Sequence, residues 1–322
     1  MAKKVRVCFH DRCFDGTSSA AVFTRFYREC VDAQAGFAYT GLTHKPAGSL
    51  FDDGLFDADE NVIVDFKYSP SPKLTWWFDH HQSAFLTPED AEHFRRDSSG
   101  HKFYDPHYKS CTKFLATVAG EKFGFRAEPL AELIRWADII DGAQYDSPEA
   151  AVKMNVPATQ IALVIEASKD ELLTTKLIPE LAAKPLAEVA RLPFVVEHFR
   201  ELYRRHENSM DILRKKVEAD RGVVFFDVTD HPLEGYNKFI PYYLYPDCFY
   251  SVGVSRSTQR LKVAVGSNPW KQPTGEREKN LASICERYGG GGHARVAAIS
   301  FEAGELERAR QAARAIADEL RR

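Results

Sequence analysis

Three short apolar segments, each followed directly by acidic or imidazole side chains, constrain the fold of this 322-residue chain more than any other feature. The first alternates Val5, Val7 and Phe9 and then meets a polar, glycine-containing turn. An apolar helical pattern follows that turn, so the opening unit is strand, loop and helix. The other two segments, 62–64 and 74–78, have the length of buried strands. We therefore predict an α/β fold with a doubly wound, mainly parallel sheet in the N-terminal half.

The pattern changes in the second half of the chain, after a charged helical stretch. Because 322 residues exceed the size at which one core usually stops growing, two domains are expected. We predict an N-terminal domain over 1–190, a helical linker over 191–220 and a smaller C-terminal α/β domain over 221–322. A helical pattern from Ala303 closes the second domain. Its β-type segments are 223–226, 250–254, 261–265 and 296–300.

Helical patterns fill the region between the two sets of strands. Proline ends or kinks a helix because it lacks the backbone N–H, so we expect breaks near Pro179, Pro185 and Pro193. The helical patterns cover 110–123, 129–140 and about 157–218.

Composition and charge exclude several classes of protein. The formal net charge is -3, which argues against a broad basic surface for long nucleic acid. Six cysteines without a CxxC pair indicate a reducing compartment rather than a disulfide framework. No apolar run has the length of a membrane span, and the N-terminal residues lack a signal-peptide pattern. We expect a cytoplasmic protein without a membrane partner.

The polar residues that follow the predicted strands are the first candidates for a site. In open parallel sheets, ligands bind outside the carboxyl ends of the strands. A single aspartate there is more often a turn residue or a helix cap, but three strands ending in ligand-type residues favour a site for Mn²⁺ or Mg²⁺. These residues are His10, Asp11, Asp15, Asp65, Asp79, His80 and His81, with Asp138 and Asp141 at the end of a helical pattern.

Five motifs, in order along almost the whole chain, resemble those of the DHH phosphoesterases. Asp79-His80-His81, after an apolar run, resembles the family signature, and residues 10–20 resemble its first motif. Residues 62–65 are similar to the second motif. Asp138, within 137–141, is similar to the fourth. Residues 289–293 resemble the glycine-rich motif of the DHH-associated C-terminal domain.

This resemblance implies two domains that flank a cleft, with metal bound by the larger N-terminal one. It implies His81 as the contact to substrate phosphate or general acid, and Asp79 as a ligand or as a residue that orients its neighbours. The implied metal ligands are His10, Asp15, Asp65, His80 and Asp138. The implied substrate-binding residues are Arg256, Gly290, Gly291, Gly292 and His293. Three residues are left open, namely Asp11, Cys13 and Asp141.

The resemblance also implies the cofactor, Mn²⁺ or Mg²⁺, with two ions sharing a bridging carboxylate at Asp65. Cys13 stands where the first motif commonly has an aspartate. Whether a second ion binds therefore stays open, and Asp11 is an alternative ligand.

The implied function is hydrolysis of short oligonucleotides or small nucleotides, as in a nanoRNase or a 3′-phosphoadenosine 5′-phosphate phosphatase. A cyclic-dinucleotide phosphodiesterase and a single-strand exonuclease are alternatives. A catalytically inactive nucleotide sensor is an alternative of another class. The expected partners are short single-stranded RNA or DNA or a small nucleotide, and a homodimer is left open.

Overall fold

The computed structural model describes residues 2–43, 51, 54–231, 233, 235–257 and 260–322. The chain divides into two compact units, each with its own sheet. The first comprises Met1–Tyr145 and Asn155–Leu202, and the second comprises Asp146–Met154 and Tyr203–Arg322. Within the described part of the chain, no helix is long and apolar enough to cross a membrane.

The first unit contains a five-stranded sheet in which every pair of neighbours is parallel. Its strand order is β2-β1-β3-β4-β5, and the prediction of a parallel α/β sheet is confirmed. The strands are β1 (Lys4–His10), β2 (Gly36–Leu42), β3 (Glu60–Val64), β4 (Trp76–Asp79) and β5 (Lys102–Tyr104). The helices are α1 (Phe14–Cys30), α2 (Pro88–Arg95), α3 (Cys111–Phe123), α4 (Ala131–Asp141), α5 (Pro148–Val152), α6 (Pro157–Ala167), α7 (Leu173–Ala183), α8 (Leu186–Val189) and α9 (Pro193–Lys216), of which α5 belongs to the second unit.

Alternate residues of the central strands face two separate apolar layers. In β3, Val62 and Val64 join the larger core with the helices around α1, whereas Ile63 joins the cluster on the opposite face. In β4, Trp76 faces the larger core and Trp77 the opposite cluster. Successive side chains of a strand point to opposite faces, so continuous apolar runs fit strands that are covered on both sides.

The long helical region contains four helices, and two of the three predicted breaks, near Pro185 and Pro193, lie at boundaries between them. A break at Pro179 was wrong, because Pro179 lies inside α7. Leu177, Ile178 and Leu181 of that helix are buried, and this apolar burial offsets the backbone hydrogen bond that proline removes. The boundary between the two units, at 202–203, falls within the continuous helix α9.

The second unit contains a six-stranded mixed sheet, in which only β7 and β8 pair in parallel among the described strands. Its strand order is β10-β11-β9-β8-β7-β6. Ala313 and Ile316 of the terminal helix pack in one core with Val252 and Val263 of the sheet. The elements are β6 (Glu218–Asp220), β7 (Val223–Asp227), β8 (Tyr250–Arg256), β9 (Arg260–Ser267), β10 (Gly291–His293), β11 (Val296–Glu302), α10 (Ile240–Leu244), α11 (Leu281–Glu286) and α12 (Leu306–Leu320).

The buried amide of Asn61 ties the loops before β3 and β4 together. Its Nδ2 donates to the carbonyls of Ala58 and Lys73, both at 3.1 Å, and its Oδ1 accepts from the Ala58 amide at 3.2 Å. We expect Asn61→Ala to lower the free energy of unfolding by about 2–3 kcal/mol, because buried backbone groups lose their partners. Urea denaturation measures this, with the exposed Asn208→Ala as the matched control. If both variants lowered the free energy of unfolding by the same small amount, the structural role of Asn61 would be contradicted.

Candidate functional site

The carboxyl ends of β1, β3 and β4 meet at one edge of the parallel sheet. β1 ends at His10, Asp65 follows β3 directly, and Asp79 ends β4. The strand order reverses beside β1, which has β2 on one side and β3 on the other. In doubly wound sheets with this order, the connections diverge at that point and leave a crevice in which ligands bind. The candidate residues of the first unit lie at this topological switch point.

Asp65 is the centre of the cluster. Its side chain is buried, and its backbone has a φ of +57°, a left-handed conformation that aspartate tolerates better than most residues. Its Oδ2 lies 3.6 Å from Nδ1 of His10. Its Oδ1 lies 3.4 Å from Nε2 of His80 and 3.8 Å from Nδ1 of His81. The two oxygens of one carboxylate therefore face different imidazoles, as a bridging ligand would require.

His80 is oriented through one ring nitrogen and faces carboxylates with the other. Its Nδ1 lies 3.0 Å from the carbonyl oxygen of Tyr108, a contact that assigns the ring proton to Nδ1. Its Nε2 lies 3.6 Å from Oδ2 of Asp15 and 3.6 Å from Oδ2 of Asp141, in addition to its approach to Asp65. This is the arrangement of a metal-ligating histidine with a carbonyl behind it.

Asp79 orients the two histidines that follow it. Its Oδ1 accepts from the backbone amides of His80 and His81, at 2.9 and 3.3 Å, and lies 2.7 Å from Nδ1 of His81. Burial lowers the pKa of His81, but the hydrogen bond to Asp79 and the nearby carboxylates outweigh it and raise that pKa. The side chain of His81 is 38% exposed, so a substrate can reach it. The geometry favours a positioning role for Asp79.

Asp15 has a structural partner as well as a place in the cluster. Its two oxygens accept from the first amides of α3, Cys111 N at 2.6 Å and Thr112 N at 3.0 Å. A carboxylate is stabilised at a helix N-terminus by these N–H groups and by the helix dipole. Asp15, His80 and Asp141 nevertheless offer ligand atoms within 4.8 Å of one another.

Of the two acidic residues at the end of α4, the structure brings Asp141 rather than Asp138 to the cluster. The carboxylate of Asp138 accepts from Oγ of Ser110 at 3.2 Å and from Nζ of Lys113 at 3.0 Å. Within the described residues, Asp138 is in none of the groups that could hold a metal ion, whereas Asp141 is in one with Asp15 and His80. The expectation that Asp138 is the ligand therefore lacks geometric support.

Cys13 is close to ligand-type residues, but Asp11 is engaged elsewhere. Ligand atoms of His10, Cys13 and Asp65 lie within 4.8 Å of one another. Burial raises the pKa of the Cys13 thiol, and the carboxylate of Asp65 adds to the effect. Asp11, which was left open as a substitute ligand, accepts from the Arg12 amide and the Thr174 hydroxyl, both at 2.9 Å.

The ionisable groups of the cluster shift one another's pKa values. Burial raises the pKa of Asp15, and repulsion from Asp65 and Asp141 raises it further. Burial also opposes ionisation of Asp65, but the imidazoles of His10 and His80 outweigh it and lower that pKa. Burial lowers the pKa of His80, yet its close approach to Asp65 and the charges of Asp15 and Asp65 raise it to about 10. The cluster thus favours positive charge at its centre.

The donor set fits a divalent cation. Among the described residues, the buried side-chain atoms without a hydrogen-bond partner include both carboxylate oxygens of Asp65 and Nε2 of His80. Such buried groups cost about 1–3 kcal/mol each when they stay unsatisfied. The N-to-O distances of 3.4–3.6 Å around His80 are longer than good hydrogen bonds. They approach the spacing of roughly 3.0–3.4 Å between ligands that share one ion at about 2.1 Å.

The glycine run of the second unit forms a close-packed edge of the sheet. A Cβ atom on Gly290 would lie 2.4 Å from the Ala298 carbonyl, and one on Gly292 would lie 2.5 Å from the Val296 carbonyl. Gly292 also has a φ of +148°. Gly291 has open space around it, and His293 is exposed in β10. Close packing of the backbone is therefore enough to explain why residues 290 and 292 are glycine.

Arg256 lies far from the glycine run. The strand pairs place His293 level with Ser251, which is five residues from Arg256 along β8. Three strand spacings separate β10 from β8. At about 3.3 Å per residue and about 4.8 Å per strand, the two residues are roughly 20 Å apart. The structure does not bring these predicted substrate-binding residues together.

A pocket of about 370 Å³ beside the glycine run contains polar residues that the sequence analysis missed. Arg295 and Lys279 supply positive charge, and the Tyr250 hydroxyl accepts from the Lys279 amide at 2.9 Å. Arg295 was detectable, because it is two residues from His293, whereas Lys279 reaches the pocket only through folding. The lining residues are Tyr250, Ser267, Gln272, Pro273, Gly275, Glu278, Lys279, Asn280, Ala294 and Arg295.

Comparison with known proteins finds solved structures that share this fold. No family profile and no curated protein matches the sequence. The structure is similar to that of a pGpG-specific phosphodiesterase, PggH, from Vibrio cholerae, with a TM-score of 0.67 and 18% identity over 99% of both chains. The fold is that of the DHH phosphoesterases. The predicted resemblance to the DHH fold is therefore confirmed.

RecJ structures share the DHH fold more distantly. RecJ from Thermus thermophilus in complex with Mn²⁺ has a TM-score of 0.54 and 16% identity, over 99% of this chain and 52% of RecJ. An exonuclease RecJ bound to manganese has a TM-score of 0.51 and 16% identity, over 98% and 90% of the two chains. The chain spans about half the length of the Thermus RecJ.

Asp141 and Asp138 provide a matched pair for testing the candidate metal site. We expect Asp141→Asn to weaken Mn²⁺ binding at least about tenfold, because an anionic ligand is lost. Asp138→Asn is expected to stay within about twofold of the original protein, because its partner is the half-exposed Lys113. Isothermal titration calorimetry on the full chain measures both. A larger loss in Asp138→Asn than in Asp141→Asn would reinstate Asp138 as the ligand.

Proposed function

We propose that this protein is a divalent-metal-dependent phosphodiesterase that hydrolyses short linear oligonucleotides, with 5′-phosphorylated dinucleotides as the leading substrate class. The observation that carries the proposal is the convergence of Asp15, Asp65, His80 and Asp141 at the switch point of a DHH fold, with unsatisfied buried ligand atoms. The match to PggH over 99% of both chains supports the dinucleotide class. The greater length of the Thermus RecJ makes that exonuclease a less close precedent.

The metal centre would be held by residues of the first unit alone. Asp65 would be the shared carboxylate, with His80 and Asp141 as ligands on one side of it and His10 on the other. Mn²⁺ or Mg²⁺ would supply Lewis-acid polarisation of the phosphate and a nucleophilic water near neutral pH. Asp15 would contribute to the same centre while it fixes the start of α3.

His81 is assigned to the substrate rather than to the metal. Asp79 engages Nδ1 of its ring at 2.7 Å, which leaves Nε2 as the atom for the phosphate. A histidine with this support can neutralise charge that develops on phosphate oxygens or donate a proton to the leaving oxygen. Because Asp79 is fully buried, it acts through His81 and does not contact substrate.

The pocket of the second unit is assigned to nucleotide binding. Its volume of about 370 Å³ is in the range of pockets that hold small organic ligands. Lys279 and Arg295 offer charge-assisted hydrogen bonds to a phosphate, and arginine can also bind it in a bidentate manner. The exposed Arg256, at the opposite end of β8 from Tyr250 of the pocket, is not part of this assignment.

A substrate panel tests the proposed activity. It contains pGpG, a five-nucleotide RNA, a long single-stranded DNA, 3′-phosphoadenosine 5′-phosphate, cyclic di-GMP and pyrophosphate, each with Mn²⁺. We expect turnover to be highest on pGpG and to fall at least about 100-fold in His80→Ala, because a ligand is lost. The exposed His107→Ala is the matched control and retains activity. Nucleotide binding without turnover of any substrate would instead favour the inactive sensor.

The pocket assignment is tested by binding without hydrolysis. We expect the double variant Lys279→Ala and Arg295→Ala to bind fluorescent pGpG about 10–100-fold more weakly in the presence of EDTA, because two charged hydrogen-bond donors are lost. Arg256→Ala is the matched control, since it removes a positive charge roughly 20 Å away. Fluorescence anisotropy measures all three affinities. A loss in Arg256→Ala, with the double variant unaffected, would refute the assignment.

A further inference from the structure

Helix capping does not explain why residue 13 is a cysteine. It is the N-cap residue of α1, with φ of -122° and ψ of 131°, but its side chain makes no capping hydrogen bond. Serine, threonine, aspartate and asparagine are the usual N-cap residues because their oxygens accept from the first amides of the helix. Cys13 therefore lacks the oxygen that usually caps a helix, although the Gly16 amide lies near its sulfur.

The surroundings of Cys13 differ from those of the structural cysteines. Cys8 belongs to an apolar cluster, and the thiol of Cys111 donates to the Phe78 carbonyl at 3.3 Å. Cys13 instead has a ligand atom within 4.8 Å of those of His10 and Asp65. Three ligand types, thiol, imidazole and carboxylate, thus converge on one point.

Asp65 provides independent evidence that this point binds a cation. Its side chain is 1% exposed, and neither carboxylate oxygen has a hydrogen-bond partner among the described residues. One oxygen lies on the His10 side and the other on the His80 side. A carboxylate in this position can contact two ions whose remaining ligands differ.

We infer that Cys13 is a thiolate ligand of a second, inequivalent metal position formed with His10 and Asp65, and that this position selects a thiophilic divalent cation such as Zn²⁺ or Co²⁺. Sulfur ligands shift selectivity toward Zn²⁺, whereas carboxylate and water ligands suit Mg²⁺ and Mn²⁺. Ligation requires the thiolate, and binding of the cation would release the proton of the Cys13 thiol. The position formed by Asp15, His80 and Asp141 contains no sulfur and keeps the preference for Mn²⁺ or Mg²⁺.

This inference rests on the proposed metal centre, but spectroscopy can test it apart from hydrolysis. Co²⁺ bound to a thiolate absorbs in the near ultraviolet through sulfur-to-metal charge transfer, and this band does not depend on turnover. We expect Co²⁺ titration of the reduced full chain to produce the band, Cys13→Ser to abolish it, and the matched control Cys30→Ser, at an exposed cysteine, to retain it.

A second variant protects the test against loss of folding. Cys13→Asp keeps an anionic ligand, and we expect it to lower the ratio of Zn²⁺ to Mn²⁺ affinity at least about tenfold, since carboxylate replaces sulfur. Circular dichroism confirms that each variant is folded. Co²⁺ binding without the band, or a band that persists in Cys13→Ser, would overturn the inference. Metal-dependent hydrolysis of pGpG in that case would leave the proposed function standing.

Discussion

The site depends on one feature, which is that three carboxylates lie close to a single imidazole nitrogen. Asp15, Asp65 and Asp141 approach the same Nε2 of His80 at 3.4–3.6 Å, and two of the three carboxylates are buried. Like charges at this distance in a buried environment repel, so the arrangement requires a compensating positive charge. Without a metal, a protonated His80 provides that charge, whereas a divalent cation bound at Nε2 would take the place of the proton. The cluster is therefore organised for a cation even though it also serves the fold.

Asp15 connects the fold to the chemistry. Its carboxylate accepts from Cys111 and Thr112 at the start of α3, and the same carboxylate lies in the cluster around His80. Asp15, in the first turn of α1, thus combines a capping contact to α3 with a position beside the imidazole of His80. The consequence is that the position of α3 and the charge of the site are coupled, because a change at Asp15 alters both.

The central strands of the parallel sheet are easier to predict from the sequence than its edge strands. The buried runs of β3 and β4 are recognisable because parallel strands covered on both faces are continuously apolar. The edge strand β2 contains two glycines and is largely exposed or half-buried, and β5 has three residues, so neither has a clear pattern. Pro179 also could not be interpreted from the local sequence. Whether α7 continues through this proline depends on how deeply the helix is buried.

The sequence by itself determined which chemical groups the site contains. Acidic and imidazole residues directly after β1, β3 and β4 must meet at one edge, because all parallel strands present their carboxyl ends there. Only the tertiary structure showed that Asp141 rather than Asp138 lies beside Nε2 of His80, since both are near the end of α4 and packing sets which one faces that ring. The strand order likewise decided that Arg256 lies far from His293, and the packing of loops brought Lys279 and Arg295 to one pocket. The physical reason is that local patterns fix where a strand ends, whereas helix rotation and strand order depend on contacts between residues distant in sequence.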